Sequence, residues 1–550
     1  MKPIRLDEKE IREYTERGHW DKTILPDYWE WNARRWPDRE CLVDPEGTRL
    51  TWSQAVRKID RIALAIVNEL RLKRDDRLMI QLPNIAEHVL IRLACEKAGI
   101  LSIPEMPAFR HSELKWIGQQ THVAGMVIPD TYRDFDYVNM AKEIQSELSS
   151  LKYIIVAGSE VPAGCVSLKR IMEKDWENEC SMYQLEKIRF DPVNEVGFLS
   201  TTTGTTGVPK IIEHRIAARE IWSAKAHIKN WELDHNDIML AFAPLAGAAG
   251  GTPAYVTAPV AGAKIILEYE FRVEEVLKRV DQERATIIAL VPAQLSRLLQ
   301  LDLAKYDLSS LRFLKTAGGY LPPALAQEAE EKFGCPILGT FGSQDTGSIS
   351  GVPISSTKEQ RYTTVGRLHS GVEIKVLDEQ GKKVTEGKVG TIYFKGPGNS
   401  IGYYRDLDKT MSEAFDKDGW STTGDLVTFS SDGWLKIMGR EKDIIIRGGQ
   451  NIYPKEIEDY LIAHPNIAEA AVVPMPDMVM GEKACAFVTL IKEKKFTFQE
   501  MIEYLKSKKI AVFKLPERLE IIDAMPLAAS TKIDKKTLKQ LIEKKLGSSG

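Results

Sequence analysis

The chain is poor in cysteine. Six thiols are spread over 550 residues, at Cys41, Cys95, Cys165, Cys180, Cys335 and Cys485, and no two stand in a C-x-x-C spacing. That excludes a zinc ribbon and a dithiol redox motif. A secreted disulfide framework would be far denser, so reduced and mostly buried thiols are expected. Net charge is also missing: 75 Lys and Arg against 78 Asp and Glu leave −3. This near balance removes the electrostatic case for nucleic acid or for a polybasic membrane patch. No apolar run follows the charged segment from Met1 to Arg17, so no signal peptide is expected and a cytoplasmic enzyme is the default. No repeat of 20–50 residues is present, which argues against a solenoid.

One stretch lacks formal charge altogether, the 26 residues from Ile238 to Ala263. Its length would permit a transmembrane helix. Pro244, Pro253 and Pro259 would break such a helix, and Gly247, Gly250, Gly251 and Gly262 would weaken it. The reading is a buried loop followed by a small-residue helix or turn, with no membrane insertion.

What is present is ordinary for a globular protein, with 43% hydrophobic and 28% charged residues. At ~150 residues per unit the length implies about three or four units, with a core that needs no staple. Ile59, Ile62, Ile66 and Leu70 fall at helical spacing, Arg77 to Leu82 reads as a short strand, and Ile85 to Ala98 returns to helical periodicity. The alternation recurs through Ala124–Ile128, Tyr153–Val156, Lys264–Leu267 and Thr286–Val291. It predicts α/β layers on a largely parallel sheet. After about residue 365 the texture changes. Val372–Val376 and Gly390–Phe394 read as strands separated by turns, an antiparallel or barrel-like piece. From Gly439 a small α+β unit rich in Lys and Glu follows.

The strongest local signal is Ser200-Thr201-Thr202-Thr203-Gly204-Thr205-Thr206-Gly207-Val208-Pro209-Lys210, after the apolar run Val196–Leu199. Backbone N–H groups of a glycine-rich turn, threonine hydroxyls and one lysine suit phosphate oxygens. The spacing is not that of a Walker loop. A flexible surface loop is the bland alternative. A second cluster is Thr316-Ala317-Gly318-Gly319-Tyr320 with Phe341-Gly342-Ser343-Gln344-Asp345. Paired glycines let a flat ring approach the backbone, an aromatic can stack on it, and a carboxylate can hold Mg²⁺. Further on stand Thr423-Gly424-Asp425 and the run from Gly439-Arg440 to Pro454, with Gly448-Gly449 marking a close backbone approach. An Asp after a glycine turn can accept hydrogen bonds from ribose hydroxyls. Taken singly, these pieces also read as strand-end turns and solvated charge.

In this order, together with Lys532 in Ala529-Ser530-Thr531-Lys532-Ile533-Asp534-Lys535, the motifs resemble the adenylate-forming superfamily of acyl-CoA synthetases, adenylation domains and luciferases, from about Asp27 to Lys545. Gln81-Leu82-Pro83-Asn84, Pro107–Leu114 and Phe135-Asp136-Tyr137 are similar to the aryl-acid branch, which includes 2,3-dihydroxybenzoate–AMP ligases and cyclohexanecarboxylate–CoA ligases. The resemblance implies a large N-terminal domain (1–439) of layered α/β subdomains plus a barrel-like subdomain, and a small mobile α+β C-terminal domain (440–550). It implies two steps: a carboxylate attacks the α-phosphate of ATP, and a thiol then takes the acyl group and releases AMP.

By position in the family motifs, Lys532 is the catalytic lysine that bridges carboxylate and phosphate oxygens. Thr202 to Lys210 would cover the β- and γ-phosphates. Asp425 and Arg440 would hold the ribose. Gly318, Gly319, Tyr320, Phe341, Gly342 and Ser343 would frame the adenine. Asp345 would bind Mg²⁺, Lys442 would be the hinge, and Gly448 and Gly449 would line the pantetheine tunnel of CoA. Lys532 also stands among Lys535, Lys536 and Lys539, and such a run is ordinarily a solvated face. Four departures stand out. Asp345 replaces the usual Glu, Phe341 the commoner Tyr, and Thr531 the usual Gly. The acyl-pocket loop reads Ala241-Phe242-Ala243-Pro244-Leu245-Ala246-Gly247-Ala248-Ala249-Gly250, where dihydroxybenzoate enzymes carry a polar His-Asn pair before Pro-Leu. A pocket built from Ala241, Phe242, Ala246, Gly247, Ala248 and Gly250 would leave catechol hydroxyls unpaired. The expected substrate is therefore an apolar ring acid such as cyclohexanecarboxylate or benzoate, joined to CoA with ATP and Mg²⁺. The second reading is an aryl-acid–AMP ligase that loads a carrier protein. A third, a fold that only binds ligand, is disfavoured by Lys532, Asp425 and Lys210. A homodimer is left open.

Overall fold

The computed structural model describes residues 1–5, 7–202, 209–319, 321–344, 347–448, 450–527 and 533–547. Two large sheets dominate. The first runs, in spatial order, Gly402–Tyr403, Ile211–His214, Phe198–Thr201, Leu101–Pro104, Arg77–Ile80, Gly125–Pro129, Tyr153–Ala157 and Val166–Ser167. From Phe198–Thr201 to Val166–Ser167 its neighbours are parallel. The second is nine-stranded, and its central strands Lys264–Leu267, Ile238–Ala241, Ile287–Leu290, Phe313–Thr316 and Ile337–Ser343 are also parallel. Strands buried on both faces read as continuous apolar runs, which is why Ile287–Leu290 and Gly125–Pro129 carry no polar alternation and are wholly buried.

The helices between them follow from pattern and caps. Trp52–Asn68 starts at a capping box in which Thr51 Oγ1 accepts from the Gln54 amide while the Gln54 side chain accepts from the Thr51 amide. It buries Ile59, Ile62 and Ile66 against Ala86–Lys97, within a core shared by both sheets. The uncharged stretch contains strand Ile238–Ala241, a short helix Ala248–Gly251, a π-helical segment Thr252–Thr257 and a last turn Ala258–Ala261. Pro253 and Pro259 fall inside this continuous helical run, 248–261, where the change to π-helical turns accompanies the missing N–H groups. Among the described residues no helix is long and apolar enough to cross a membrane.

Glu373–Leu377, Gly390–Lys395, Ser421–Phe429 and Leu435–Arg440 form an antiparallel sheet over its own core of Val376, Ile392, Phe394 and Val427. The C-terminal unit is a five-stranded sheet built on the long hairpin Ile467–Asp477 and Gly481–Leu490. Two separate clusters flank it: Val472, Ala486 and Val488 with Ile457 and Leu461 on one side, Val473, Cys485 and Phe487 with Leu538 and Ile542 on the other. The alternation of the hairpin thus feeds two cores. All six thiols are free, four of them buried and Cys165 and Cys180 half-buried.

Candidate active site

In open α/β sheets ligands bind outside the carboxyl ends of the strands, and the motifs gather there. Phe198–Thr201 runs into the Thr/Gly loop, Ile238–Ala241 into the acyl loop, Phe313–Thr316 into Gly318-Gly319, and Ile337–Ser343 into Gln344. Thr203 to Gly207, Tyr320, Asp345, Gly449 and Lys532 lie outside the described residues. The Thr/Gly loop connects two antiparallel strands, with Thr201 opposite Ile211, and the Thr202 amide donates to the Lys210 carbonyl at 3.0 Å. It is thus a hairpin loop and not the strand-to-helix turn of a Walker motif. Lys210 Nζ donates to Glu413 Oε2 at 2.5 Å and to the Tyr403 hydroxyl at 3.2 Å, and it lies 4.7 Å from the Tyr403 ring centre. Partial burial pulls its pKa down, but Glu413 and Tyr403 outweigh that and hold it above the usual lysine range. Glu413 is a partner that no motif announces.

Asp425 and Arg440 face each other across the Ser421–Phe429 and Leu435–Arg440 strands. Arg440 Nε donates to Asp425 Oδ1 at 3.0 Å, with the aspartate buried and the arginine partly exposed. Gly424 before the aspartate has φ +68°, a left-handed position that favours glycine. Gly318, at φ +79°, and Gly319 sit over Val291 and Pro292 at the end of the neighbouring strand. Phe341, Gly342 and Ser343 close the Ile337–Ser343 strand, and a Cβ on Gly342 would lie 2.1 Å from the Gly347 carbonyl oxygen. Lys442 is exposed in a short 3₁₀ turn, Glu441–Asp443. Gly448, at φ +55°, donates its amide to the Met480 carbonyl at 2.8 Å, and a Cβ there would meet Met480 Cε at 2.7 Å.

A cavity of ≈ 30 Å³ lies beneath the Thr/Gly loop, and Lys210, Gly318, Gly319, Phe341, Asp425, Arg440 and Gly448 are not among the residues that line it. Phe198 and Ser200, from the strand beneath the Thr/Gly loop, form one wall, and Ala246, Gly247 and Ala248 form another. Gln344 closes a third side, next to Asp345 in the chain. Ala241, Phe242 and Gly250, expected on the wall, are not among its lining residues. Ala241 ends its strand in the core shared by the two sheets. Phe242 points to the opposite side and packs on Phe271. Gly250 is pressed against the carbonyls of Ala243 and Pro244.

The expected apolar pocket is also more polar than the loop implies, because Arg219 and Glu220 line it. Both belong to the π-helical segment Ala217–Trp222. Arg92 lies behind them, with no side-chain exposure, donating to Glu96 Oε1 and Glu220 Oε1 at 2.7 Å each and stacking 4.5 Å from the Phe198 ring centre. Burial pushes the Glu220 carboxyl well above the usual range, against the pull of Arg92. Arg219 donates to Gln344 Oε1 at 3.4 Å.

Glu105, following strand Leu101–Pro104, is fully buried beside this wall and accepts from Thr201 Oγ1 at 2.8 Å. Burial pushes its pKa up to about 8. The folded form therefore keeps a proton that the unfolded chain loses near pH 4.5. The stability this group contributes is complete below that pH and is lost as pH rises through about 8. Glu105→Gln should flatten that loss, gaining on the order of 3 kcal/mol relative to wild type between pH 5 and 8. Urea unfolding midpoints of the two proteins over that range test it, and parallel curves would refute it.

Comparison with known proteins identifies the family. The AMP-binding enzyme family matches residues 29–404, and the AMP-binding enzyme C-terminal domain matches residues 456–532. The chain is 32% identical to 2-hydroxy-7-methoxy-5-methyl-1-naphthoate–CoA ligase of Streptomyces carzinostaticus, over 96% of this chain and 94% of that one. It is 30% identical to 2,3-dihydroxybenzoate-AMP ligase of Bacillus subtilis, over 97% and 96%. It is 32% identical to the medium-chain fatty-acid–CoA ligase of Escherichia coli, over 99% and 94%. Among solved structures, the anthranilate CoA ligase AuaEII in complex with anthranoyl-AMP superposes with a TM-score of 0.85 at 22% identity, covering 96% of this chain and 98% of that one. The fold, the two matched regions and the relatives together make this chain a member of the adenylate-forming AMP-binding enzyme family, in its aryl-acid branch.

Proposed function

We propose that the protein is an AMP-forming acid–thiol ligase that activates a cyclic carboxylic acid, aromatic or alicyclic, with ATP and transfers the acyl group to CoA. The observation that supports this most is the cavity between the strand under the Thr/Gly loop, the small-residue loop Ala246–Ala248 and Gln344. An acid seated there would have its carboxylate next to phosphates covered by Thr202 to Lys210. The first step brings two anions together, so it needs charge neutralisation and alignment more than a nucleophilic side chain. Lys210 would exchange Glu413 for a phosphate oxygen. Lys532 would bridge carboxylate and α-phosphate as a compact charge. Asp425, oriented by Arg440, would accept from the ribose hydroxyls, and Gly318, Gly319, Tyr320 and Phe341 would flank the base.

Asp345 next to Gln344 supplies one carboxylate, which with substrate phosphates is the usual donor set for Mg²⁺. Gly448 and Gly449 would line a pantetheine arm once Met480, packed on Gly448, moved aside. The unit boundary would fall at Arg440, with Lys442 as the hinge that absorbs rotation of the C-terminal unit between steps. The CoA-ligase relatives support CoA as the acceptor, while the dihydroxybenzoate-AMP ligase relative supports a carrier protein as the alternative. A panel of ring acids with ATP and Mg²⁺, with and without CoA, separates them. AMP release that depends on CoA and yields acyl-CoA is expected. AMP release that responds only to an acyl carrier protein would reject the CoA reading.

A further inference from the structure

Lys210 is the one charged side chain of the Thr/Gly motif, 200–210. Its ammonium is held by Glu413 Oε2 at 2.5 Å and by the Tyr403 hydroxyl at 3.2 Å. A carboxylate oxygen thus meets the lysine where the ligase reading puts a phosphate oxygen, and the two anions cannot share it.

Both partners of Lys210 come from one piece of chain. Tyr403 ends the edge strand Gly402–Tyr403, which pairs antiparallel with Ile211–His214, the strand that leaves Lys210. Glu413 follows on the π-helical turn Thr410–Ala414. That turn has buried ends and an exposed middle. Thr410 is fully buried, and its hydroxyl accepts from the Tyr403 amide at 2.8 Å. Phe415, just past the turn, is buried as well, and its ring carries the Arg5 guanidinium at 4.4 Å. Arg5 is itself fastened to the strand that leaves Lys210. The Ile4 amide donates to Glu213 Oε2 at 2.8 Å, and Arg215 donates to the Arg5 carbonyl at 3.4 Å. Met411, Ser412 and Glu413, between the two anchors, are exposed. The base of the turn is therefore fixed against the Lys210 strand, while the carboxylate at its tip can swing away without disturbing the core.

The Lys210 side chain is 28% exposed and that of Glu413 45%. An ion pair this open to water is weak, so it costs little to break. A triphosphate brings more negative charge to the same ammonium and displaces the carboxylate. The carboxylate stays tethered within a side chain's swing of Lys210, so its effective concentration there remains high. Adenylation then cuts the pyrophosphate from the nucleotide, and its hold on the site through ribose and base is lost. From that moment the tethered carboxylate competes with pyrophosphate alone. We propose that Glu413 is a positioning residue of the phosphate end of the site, which holds Lys210 before the triphosphate binds and reclaims it as pyrophosphate leaves. This rests on the AMP-forming ligase reading and adds to it the release of the first product, a step for which the motif set supplies no residue.

Calorimetric titration with MgATP and with magnesium pyrophosphate reads the competition without turnover. Glu413→Gln, similar in shape and uncharged, should bind both ligands roughly 2–5-fold more tightly than wild type at low salt, the ordinary worth of one half-exposed ion pair. The difference should narrow as salt is raised to about 1 M, where the screening length is about 3 Å. In turnover, KM for ATP and the inhibition constant of pyrophosphate should both fall, while KM for the acid stays at the wild-type value. Ser412→Ala, on the same turn and without a bond to Lys210 among the described residues, should match wild type in both titrations. Equal or weaker binding of both ligands by Glu413→Gln overturns the proposal. So does an equal gain in Ser412→Ala, which would assign the effect to the turn and not to the carboxylate. Failure of wild type to bind MgATP overturns instead the ligase reading on which the proposal stands.

Discussion

Lys532→Ala is expected to slow formation of the acyl-adenylate by roughly 10²–10³-fold, the usual cost of removing one charge-stabilising donor from a reacting centre. Thioester formation from supplied acyl-adenylate and CoA should change by less than about tenfold. The asymmetry follows from the chemistry. In the first half-reaction a carboxylate attacks the α-phosphate, so two anions are pressed together while negative charge moves from the carboxylate oxygen to the phosphate oxygens and the departing pyrophosphate. A lysine between them acts where that charge develops. In the second half-reaction the phosphate is the leaving group and the thiol approaches from the other side, so the same lysine has no anion pair to bridge. Lys210 would not replace it, since on the proposed reading its ammonium leaves Glu413 for a β- or γ-phosphate oxygen at the neck of the Thr/Gly loop. Acid-dependent pyrophosphate exchange reads the first half-reaction, and acyl-CoA formed from synthetic adenylate reads the second. Equal losses in both would contradict a C-terminal unit that presents the lysine in only one of them.

Much of the architecture is legible in the sequence, because its physics is local. The 3.6-residue pattern of Ile59, Ile62 and Ile66 becomes the buried stripe of Trp52–Asn68. The strand-like runs Val372–Val376 and Gly390–Phe394 become neighbours in an antiparallel sheet, with Lys375 opposite Tyr393. Asp425 and Arg440, fifteen residues apart, meet because a hairpin register brings them together.

What the pattern hides is burial decided by distant segments. Arg92 and Glu96 stand at i, i+4 on a helix, a spacing that ordinarily marks a solvated pair. Both are fully buried here, because Ala86–Lys97 is enclosed by the first sheet and by the segment carrying Glu220. Lys315 escapes for a related reason. Between Leu314 and Thr316 it reads as the polar position of a half-exposed strand, but that strand is central and covered on both faces. Ala241 and Phe242 fail in the opposite sense. Both stand where the strand ends and are taken up by packing on its two faces, Ala241 in the shared core and Phe242 against Phe271, while only the loop beyond them, Ala246 to Ala248, reaches the cavity.

The Arg92 cluster carries the second large expectation. Arg92→Met should destabilise the protein by about 3–5 kcal/mol, because it leaves the carboxyl groups of Glu96 and Glu220 buried without their shared cation. The cost belongs to the stranded carboxyl groups and not to the arginine as such. Replacing all three charged residues, as Arg92→Met with Glu96→Gln and Glu220→Gln, should therefore recover most of it. Urea unfolding midpoints of the single and triple variants read this directly, and a triple variant no more stable than Arg92→Met would reject the account. The position of the cluster adds a kinetic consequence. Arg92 stacks on Phe198 and binds Glu220, and both of these line the cavity. Asp425 stands on a strand of another sheet, and the Thr/Gly loop, which follows the Phe198–Thr201 strand, has no bond to the cluster among the described residues. Loss of Arg92 should therefore raise KM for the acid several-fold more than KM for ATP when both are measured on the folded fraction. A core ion cluster that merely stabilised the fold would move the two together. An ion cluster that shapes the acyl wall separates them, and it does so from behind the pocket, without touching the acid.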